Sequence, residues 1–417
     1  MTSGRASAAR TAVLRERLRA AFWLIPALCC TGALLFGVAL PELDQLVADD
    51  VPFLFAGGPD GARSLLSSIA TSMISFTGLV FSITVVSLQL ASGQFSPRVL
   101  RSFLRSRVTQ TSLGVFIATA LYALVVLRSV RGNVGVEPYV PQVAVTAAAA
   151  LLVVSFALFI VYISHITRSL QLSTIVENVR RDTAQLLDRR DGADRRADGG
   201  NGHAPGRPAA GPGRQVTAPR PGYLVGVDVP ALVAEAARSD VQLVVAVPLG
   251  DYLAEGMPLV TVHGEGLTRV DDGRLRRGLP LGGERSMAQD VAFGFRQLVD
   301  IAEKALSPGV NDPTTAVQAL DALHDLLRRL VVRPDPQREH LDDAGTPRVR
   351  TRERAFAGYL DLALDEVLQY GGDAGQVVAR VRRLLEDLRT AAVPEHLPAI
   401  LAKLAALPPA RVGQPDR

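Results

Sequence analysis

Four apolar runs, all before residue 164, set the terms on which this 417-residue chain can fold. They extend from Ala20 to Leu40, from about Ser64 to Ser92, from about Thr111 to Leu127 and from about Pro141 to Ile163. A bilayer core takes roughly 20 residues of helix, and each run is long enough or nearly so. A chain that commits these segments to lipid cannot close around one core, and what remains suits one or two soluble domains. Hydrophobic residues make up 48% of the chain and charged residues 21%, so the apolar content is segregated into the runs. The expected fold class is a polytopic α-helical membrane domain of four transmembrane helices. A cytosolic α+β region follows, with a small β-rich module and a helical C-terminal bundle.

Arginine placement predicts the orientation. Arg5, Arg10, Arg15, Arg17 and Arg19 precede the first run, and Arg98, Arg101, Arg105 and Arg107 follow the second with no acid among them. Residues 41–63 instead carry Glu42, Asp44, Asp49, Asp50 and Asp60 against Arg63. The positive-inside rule puts both termini of this multi-pass protein in the cytoplasm. The first run resembles a signal peptide, but its length and the lack of a small-residue cleavage site favour an uncleaved anchor.

The sequence pI near 9.3 does not point to nucleic acid, because the basic residues flank apolar segments or fill a linker and no recognition module accompanies them. Cys29 and Cys30 are adjacent, so neither a CxxC redox pair nor a zinc knuckle is available. No P-loop, His-Glu-x-x-His, Gly-x-Ser-x-Gly or dinucleotide turn is present. His165, His263, His324, His340 and His396 are scattered and read as surface or helix-end residues. The expectation is a protein without enzymatic activity, cofactor or metal.

The second run carries the most information. Ser64, Ser68, Thr71, Ser75, Gly78 and Ser82 recur at steps of four and three, and Gln89 extends the line by a further seven. That spacing puts them on one helical stripe. Small residues let backbones approach and hydroxyls bond across helices, which favours a packing role. Hydroxyls can also replace part of an ion's hydration shell, which allows a pore-lining role in an oligomer. After the run, Ser96-Pro97 opens a short helix that sets Leu100, Phe103 and Leu104 against Arg98, Arg101 and Arg105. Its arginines are expected to meet anionic lipid headgroups.

The remaining boundaries are a tail at 1–19, the membrane domain at 20–163 and a helical extension of the fourth span at 164–187. A disordered linker at 188–221, a β-rich module at 222–282 and a helical domain at 283–407 complete the chain. The turn at residues 249–256 resembles those of biotinyl and lipoyl carriers, but no lysine is present for that chemistry, leaving a barrel-sandwich-like fold hint. Between two helices, Ser307-Pro308-Gly309-Val310-Asn311-Asp312-Pro313 reads as a turn in which Asn311 is left-handed and Asp312 caps the next helix. Lys304, Asn311 and Asp312 also form a candidate polar ligand site, although pairing of Lys304 with Asp300 would explain the lysine locally.

Three segments together, Phe81-Ser82-Ile83-Thr84 through Gln89 to Phe95-Ser96-Pro97-Arg98, Phe293-Gly294-Phe295-Arg296-Gln297-Leu298, and Ala305 through Pro313, resemble an uncharacterised family of predicted bacterial membrane proteins. The resemblance spans roughly residues 20–405, with 188–221 as an insertion-like stretch. It implies the architecture and the inner-membrane location, and it supplies no reaction and no catalytic residues. Two function classes follow from the sequence. One is a homo-oligomeric, channel-like permeation protein gated by its cytosolic domain, with the stripe on its path. The other is a membrane-anchored sensor or scaffold that binds a ligand or protein partner without transport.

Overall fold

A computed structural model of the chain describes residues 23–47, 55, 57–94, 107–131, 139–169, 171–197, 213–335 and 339–408. Two compact units divide at Thr174, and each is described by itself. The arginine-bearing segment of Arg98, Arg101 and Arg105 and the tail at 1–19 lie outside the described residues.

The first unit contains α1 (Leu24–Val47), α2 (Pro59–Gln94), α3 (Arg107–Ser129) and α4 (Gln142–Ser169). All four are long and apolar enough to cross a membrane. Helix α3 packs against α1, α2 and α4, which makes it the hub of the unit. One apolar cluster joins Leu66, Ile69 and Met73 of α2 to Ala123 and Val126 of α3 and Ala144, Val145 and Ala148 of α4. A second joins Val80, Phe116, Tyr162 and Ile166.

Several polar groups inside this unit are hydrogen-bonded to side chains or backbone of other helices. The Tyr162 hydroxyl, fully buried, lies 2.5 Å from Thr84 Oγ1 and donates to the Val80 carbonyl at 3.1 Å. Thr119 and Ser155 hydroxyls pair at 3.0 Å, and Tyr122 donates to the Ala144 carbonyl at 3.0 Å. Asp44 of α1 accepts the Val143 amide at 3.1 Å, so a carboxylate from one span caps the free N-terminus of another.

The second unit begins within α5 (Leu172–Ala197). The fourth span does not run on as a single helix into residues 164–187: α4 stops at Ser169 and α5 starts at Leu172. Helix α5 also reaches Ala197, inside the expected 188–221 linker, and strand β1 (Arg214–Thr217) occupies its far end. In the part of the expected linker that is helical, Arg190 pairs with Glu353.

A mixed sheet follows, built from β1, β3 (Gln242–Val245), β5 (Pro258–His263), β7 (Glu339–Leu341) and β8 (Pro347–Arg350) in the order β1-β5-β3-β8-β7. Strand β8 runs parallel to β3, with Leu243 opposite Val349, and the other pairings are antiparallel. A second sheet has the order β4 (Tyr252–Leu253), β2 (Gly222–Leu224), β6 (Leu281–Gly282). The short helices α6 (Val229–Ser239) and α7 (Asp272–Gly278) accompany the sheets. Their shared core includes Leu224, Leu232, Leu243, Val260, Leu275 and Val349.

The module expected at 222–282 is therefore not self-contained. A hairpin from the region expected to be purely helical completes its sheet, with Asp342 accepting the Ala344 and Thr346 amides across the turn. This arrangement replaces the barrel-sandwich expectation.

Helices α8 (Val291–Leu306), α9 (Pro313–Val331), α10 (Phe356–Gly371), α11 (Gly375–Ala391) and α12 (Leu397–Ala406) form the helical part. Helix α8 packs against both α9 and α10, and its Phe295 ring lies 5.0 Å from that of Tyr359. Gly294 lets α5 approach: a Cβ there would stand 2.8 Å from Thr183 Cγ2 and 2.9 Å from its Cβ. Thr183 is fully buried and has no room to withdraw. Gly294→Ala is therefore expected to cost about 1–3 kcal/mol in urea unfolding of the purified protein. Thr183→Ala should restore part of that loss, and a cycle without coupling would refute the contact as its cause.

Candidate functional site

On α2, the buried positions Leu66, Met73, Val80 and Ser87 recur every seven residues and form the face that meets the other spans. Ser64, Ser68, Thr71, Ser75, Gly78, Ser82 and Gln89 are all exposed. At 3.6 residues per turn they fall within roughly 40° of the line through Ser64, diametrically opposite that core face. Ile74, Phe81 and Val85 border the line on one side and Leu79 and Val86 on the other, all of them exposed. The stripe is thus a polar seam between apolar banks.

Within the described residues the seam is nearly free of side-chain partners. Thr77 and Thr84, which point away from it, bond the Met73 and Val80 carbonyls at 2.7 and 2.8 Å. Among the described residues, the side chains of Ser68, Thr71, Ser75, Ser82 and Gln89 make no hydrogen bond. A Cβ on Gly78 would meet nothing within 4 Å, so this glycine serves no close approach inside the chain. One turn before Ser64, Asp60 continues the line with its side chain fully exposed, 3.9 Å from Arg63.

The turn after α8 adopts a tightly bonded form. Asn311 has φ +46°, and the Asp312 amide donates to the Ala305 carbonyl at 2.8 Å. The Asp312 carboxylate accepts from the Thr315 hydroxyl at 2.7 Å and the Thr315 amide at 3.1 Å, which holds its pKa below the usual value. Lys304 is exposed, and it does not pair with Asp300, whose Oδ1 accepts from Arg296 Nε at 2.6 Å. Asn311 and Asp312 are occupied with the geometry of the turn.

Arg296 holds a carboxylate cluster that reading the sequence did not find. It donates to Asp300 at 2.6 Å, to Glu303 at 3.2 Å and to Glu366 of α10 at 2.5 Å. Burial, with the Glu366 carboxyl nearby, pushes the Glu303 carboxyl up to about 7. Glu303 and Arg296 beside it hold Glu366 down. Arg296, Asp300 and Glu303 share one helical face at i, i+4 and i+7, a pattern visible in sequence, whereas Glu366 arrives from another helix.

A family model described as Predicted membrane protein (DUF2254) matches residues 19–387. The chain belongs to the DUF2254 family. An uncharacterized protein of Mycobacterium bovis and two of Mycobacterium tuberculosis are each 34% identical to it over 415 residues, covering 95% of this chain and 77% of the relative. No solved structure matches it. The DUF2254 assignment agrees with the resemblance read from the three sequence segments, and it carries no activity.

Two other polar clusters in this DUF2254 protein have structural explanations. Asp335, Glu395 and His396 bring ligand-type atoms within 4.8 Å of one another. Each already serves the backbone: Asp335 accepts the Phe356 amide at 2.7 Å, Glu395 accepts the Asp335 amide at 2.6 Å, and His396 Nε2 donates to the Arg333 carbonyl at 2.8 Å. His396 is buried with its ring stacked 4.4 Å from Phe356 and stands at the N-terminal end of α12, so of the surface and helix-end positions expected it takes the helix end. Arg238, Arg274 and Arg277 wall a groove of about 330 Å³ between α6 and α7. Their charge is balanced there by Glu235, which pairs with Arg238 and Arg274, and by Asp271 beside Arg274 and Arg277.

Proposed function

We propose that this DUF2254 protein is a homo-oligomeric, channel-like permeation protein of the bacterial inner membrane, with both termini cytoplasmic and its cytosolic part acting as the gate. The observation that carries this reading is the seam of α2, exposed along its length, with Ser68, Thr71, Ser75, Ser82 and Gln89 unbonded among the described residues, and opposite the core. Lipid offers hydroxyls and amides no hydrogen bonds, so a seam of this length calls for copies of the chain, for water, or for both. Identical subunits with their seams turned inward would line a narrow polar path with Ser68, Thr71, Ser75 and Ser82. Asp60 would form a carboxylate ring at its outer mouth, a device that favours cations. Arg98, Arg101 and Arg105 are assigned to anionic headgroups on sequence grounds alone.

Cysteine cross-linking tests the assembly. With Cys29 and Cys30 replaced by alanine, Ser68→Cys, Ser75→Cys and Ser82→Cys are expected to yield oxidised dimers in membranes, while Met73→Cys and Val80→Cys on the core face are not. Equal yields on both faces, or monomers throughout, would refute the assembly and leave the anchored sensor. Asp60→Asn is expected to lower the cation-to-anion permeability ratio severalfold, read from reversal potentials across an ion gradient. An unchanged ratio would remove Asp60 from the path.

A further inference from the structure

Helices α9 and α11 are joined by a line of polar and charged side chains that belongs neither to the seam nor to the Arg296 cluster. His324 of α9 stands between Arg380 and Asp387 of α11, with Nδ1 2.9 Å from Arg380 Nη2 and Nε2 2.8 Å from Asp387 Oδ2. Arg380 Nε donates to Asp321 Oδ1 at 2.5 Å, and Arg328 Nε lies 3.4 Å from Asp387 Oδ2. The His324 and Arg380 side chains are 22% and 16% exposed, enough to admit a proton from water and too little for water to screen the contact fully.

A guanidinium only donates hydrogen bonds, and it keeps its charge at any pH a folded protein meets. Its contact with His324 therefore requires a lone pair on Nδ1. The neutral ring then carries its hydrogen on Nε2 and donates it to Asp387, so the two partners on α11 together select one tautomer. A second proton can enter only at Nδ1, where an N–H would face an N–H and a positive charge would face a positive charge. The protonated ring keeps Asp387 and gives up Arg380.

Among the described residues, the charged groups that face this ring are Asp321 and Arg328 from α9 and Arg380 and Asp387 from α11. Farther along α9, Asp325 binds Arg180 of α5, and Arg329 lies against Asp325 and Asp188. On α11, Arg382 donates to the Pro408 carbonyl, and Arg383, Glu386 and Arg389 are exposed. Of the other helices packed on this pair, α8 turns Arg296 towards Glu366, and α10 turns Asp361 and Asp365 towards Lys403 of α12.

We propose that His324 is a proton-operated latch between α9 and α11, closed on Arg380 while the ring is neutral and released when the ring is protonated. Histidine changes its charge between about pH 5 and about pH 8, so the latch answers to acidification. It stands apart from the permeation reading, since it holds whether the protein conducts or only anchors.

A double-mutant cycle of His324→Ala and Arg380→Ala tests it, read by hydrogen exchange of the full-length protein in nanodiscs. After correction for intrinsic exchange, the cycle is expected to show about threefold coupled protection of α9 and α11 amides at about pH 8, the size of one hydrogen bond partly open to water. At about pH 5 the coupling should vanish or change sign. In a His324→Gln background, where the amide accepts and donates but takes up no proton, Arg380→Ala should have the same effect at both pH values. Coupling of equal size at both pH values in the cycle would overturn the latch, as would its absence at the higher one. Nitrogen NMR of the full-length protein labelled at histidine gives a readout free of arginine variants. At about pH 8 the ring signal that disappears in His324→Gln should report its hydrogen on Nε2, and a hydrogen on Nδ1 would refute the contact.

Discussion

Liposomes containing Ser75→Leu or Ser82→Leu are expected to lose ion flux by roughly tenfold or more relative to wild type, with folding and oligomer size retained. The seam is narrow, so each leucine would enter the path once per subunit. A ring of isobutyl groups in place of hydroxyls both narrows the path and removes groups that substitute for hydration water. Ser75→Ala removes the hydroxyl without adding bulk and should cost less. Ile74→Leu, on the exposed apolar bank beside the seam, should leave flux unchanged.

The outcomes separate the two function classes. Flux lost together with the oligomer would mean that the seam is a packing surface rather than a lining. Wild-type protein that conducts no cation or anion at either voltage sign would sink the permeation reading, leaving a membrane-anchored sensor whose seam joins copies without a path.

Much of this architecture was legible in the sequence because the strongest signals were physical necessities. A run that can satisfy its backbone in lipid only as a helix shows itself by length. The boundaries were less legible. Helix α2 begins at Pro59, five residues before the expected Ser64, because proline at the first helical position and Asp60 in the first turn extend it beyond its apolar stretch. The start of helix α9 at Pro313 was legible, since Asp312-Pro313 is a start signal independent of hydropathy.

What the sequence concealed depends on contacts between distant segments. In β8 only Val349 is buried among Pro347, Arg348 and Arg350, and in β1 only Val216, so neither strand has the apolar alternation that reveals a strand. They are strands because β3 and β5 stand beside them. The seam was legible as a stripe, but whether it faced the interior of the chain was not, because hydroxyl spacing is the same in either case. Of the Arg296 cluster, the three members on α8 were readable at helical spacing, while the fourth, Glu366, comes from 63 residues beyond Glu303.

Arg296→Met is expected to be among the most damaging single substitutions in the second unit, and to be so in a pH-dependent way. Methionine replaces much of the arginine's apolar stem, so packing changes little while the charge that holds Asp300, Glu303 and Glu366 together disappears. Breaking a fully buried pair costs about 3–5 kcal/mol, but Glu366 retains 43% of its side-chain exposure, which lowers the expected loss to about 2 kcal/mol near pH 8. Without the guanidinium the carboxyl groups repel one another, so all three bind protons more readily and the deficit shrinks as pH falls towards about 5. Urea unfolding at the two pH values would measure this difference, and a deficit equal at both would show that Arg296 matters for packing rather than charge. Adding Glu303→Gln to Arg296→Met should recover part of the loss near pH 8 and little near pH 5, because the second change removes a charge that exists only at the higher pH.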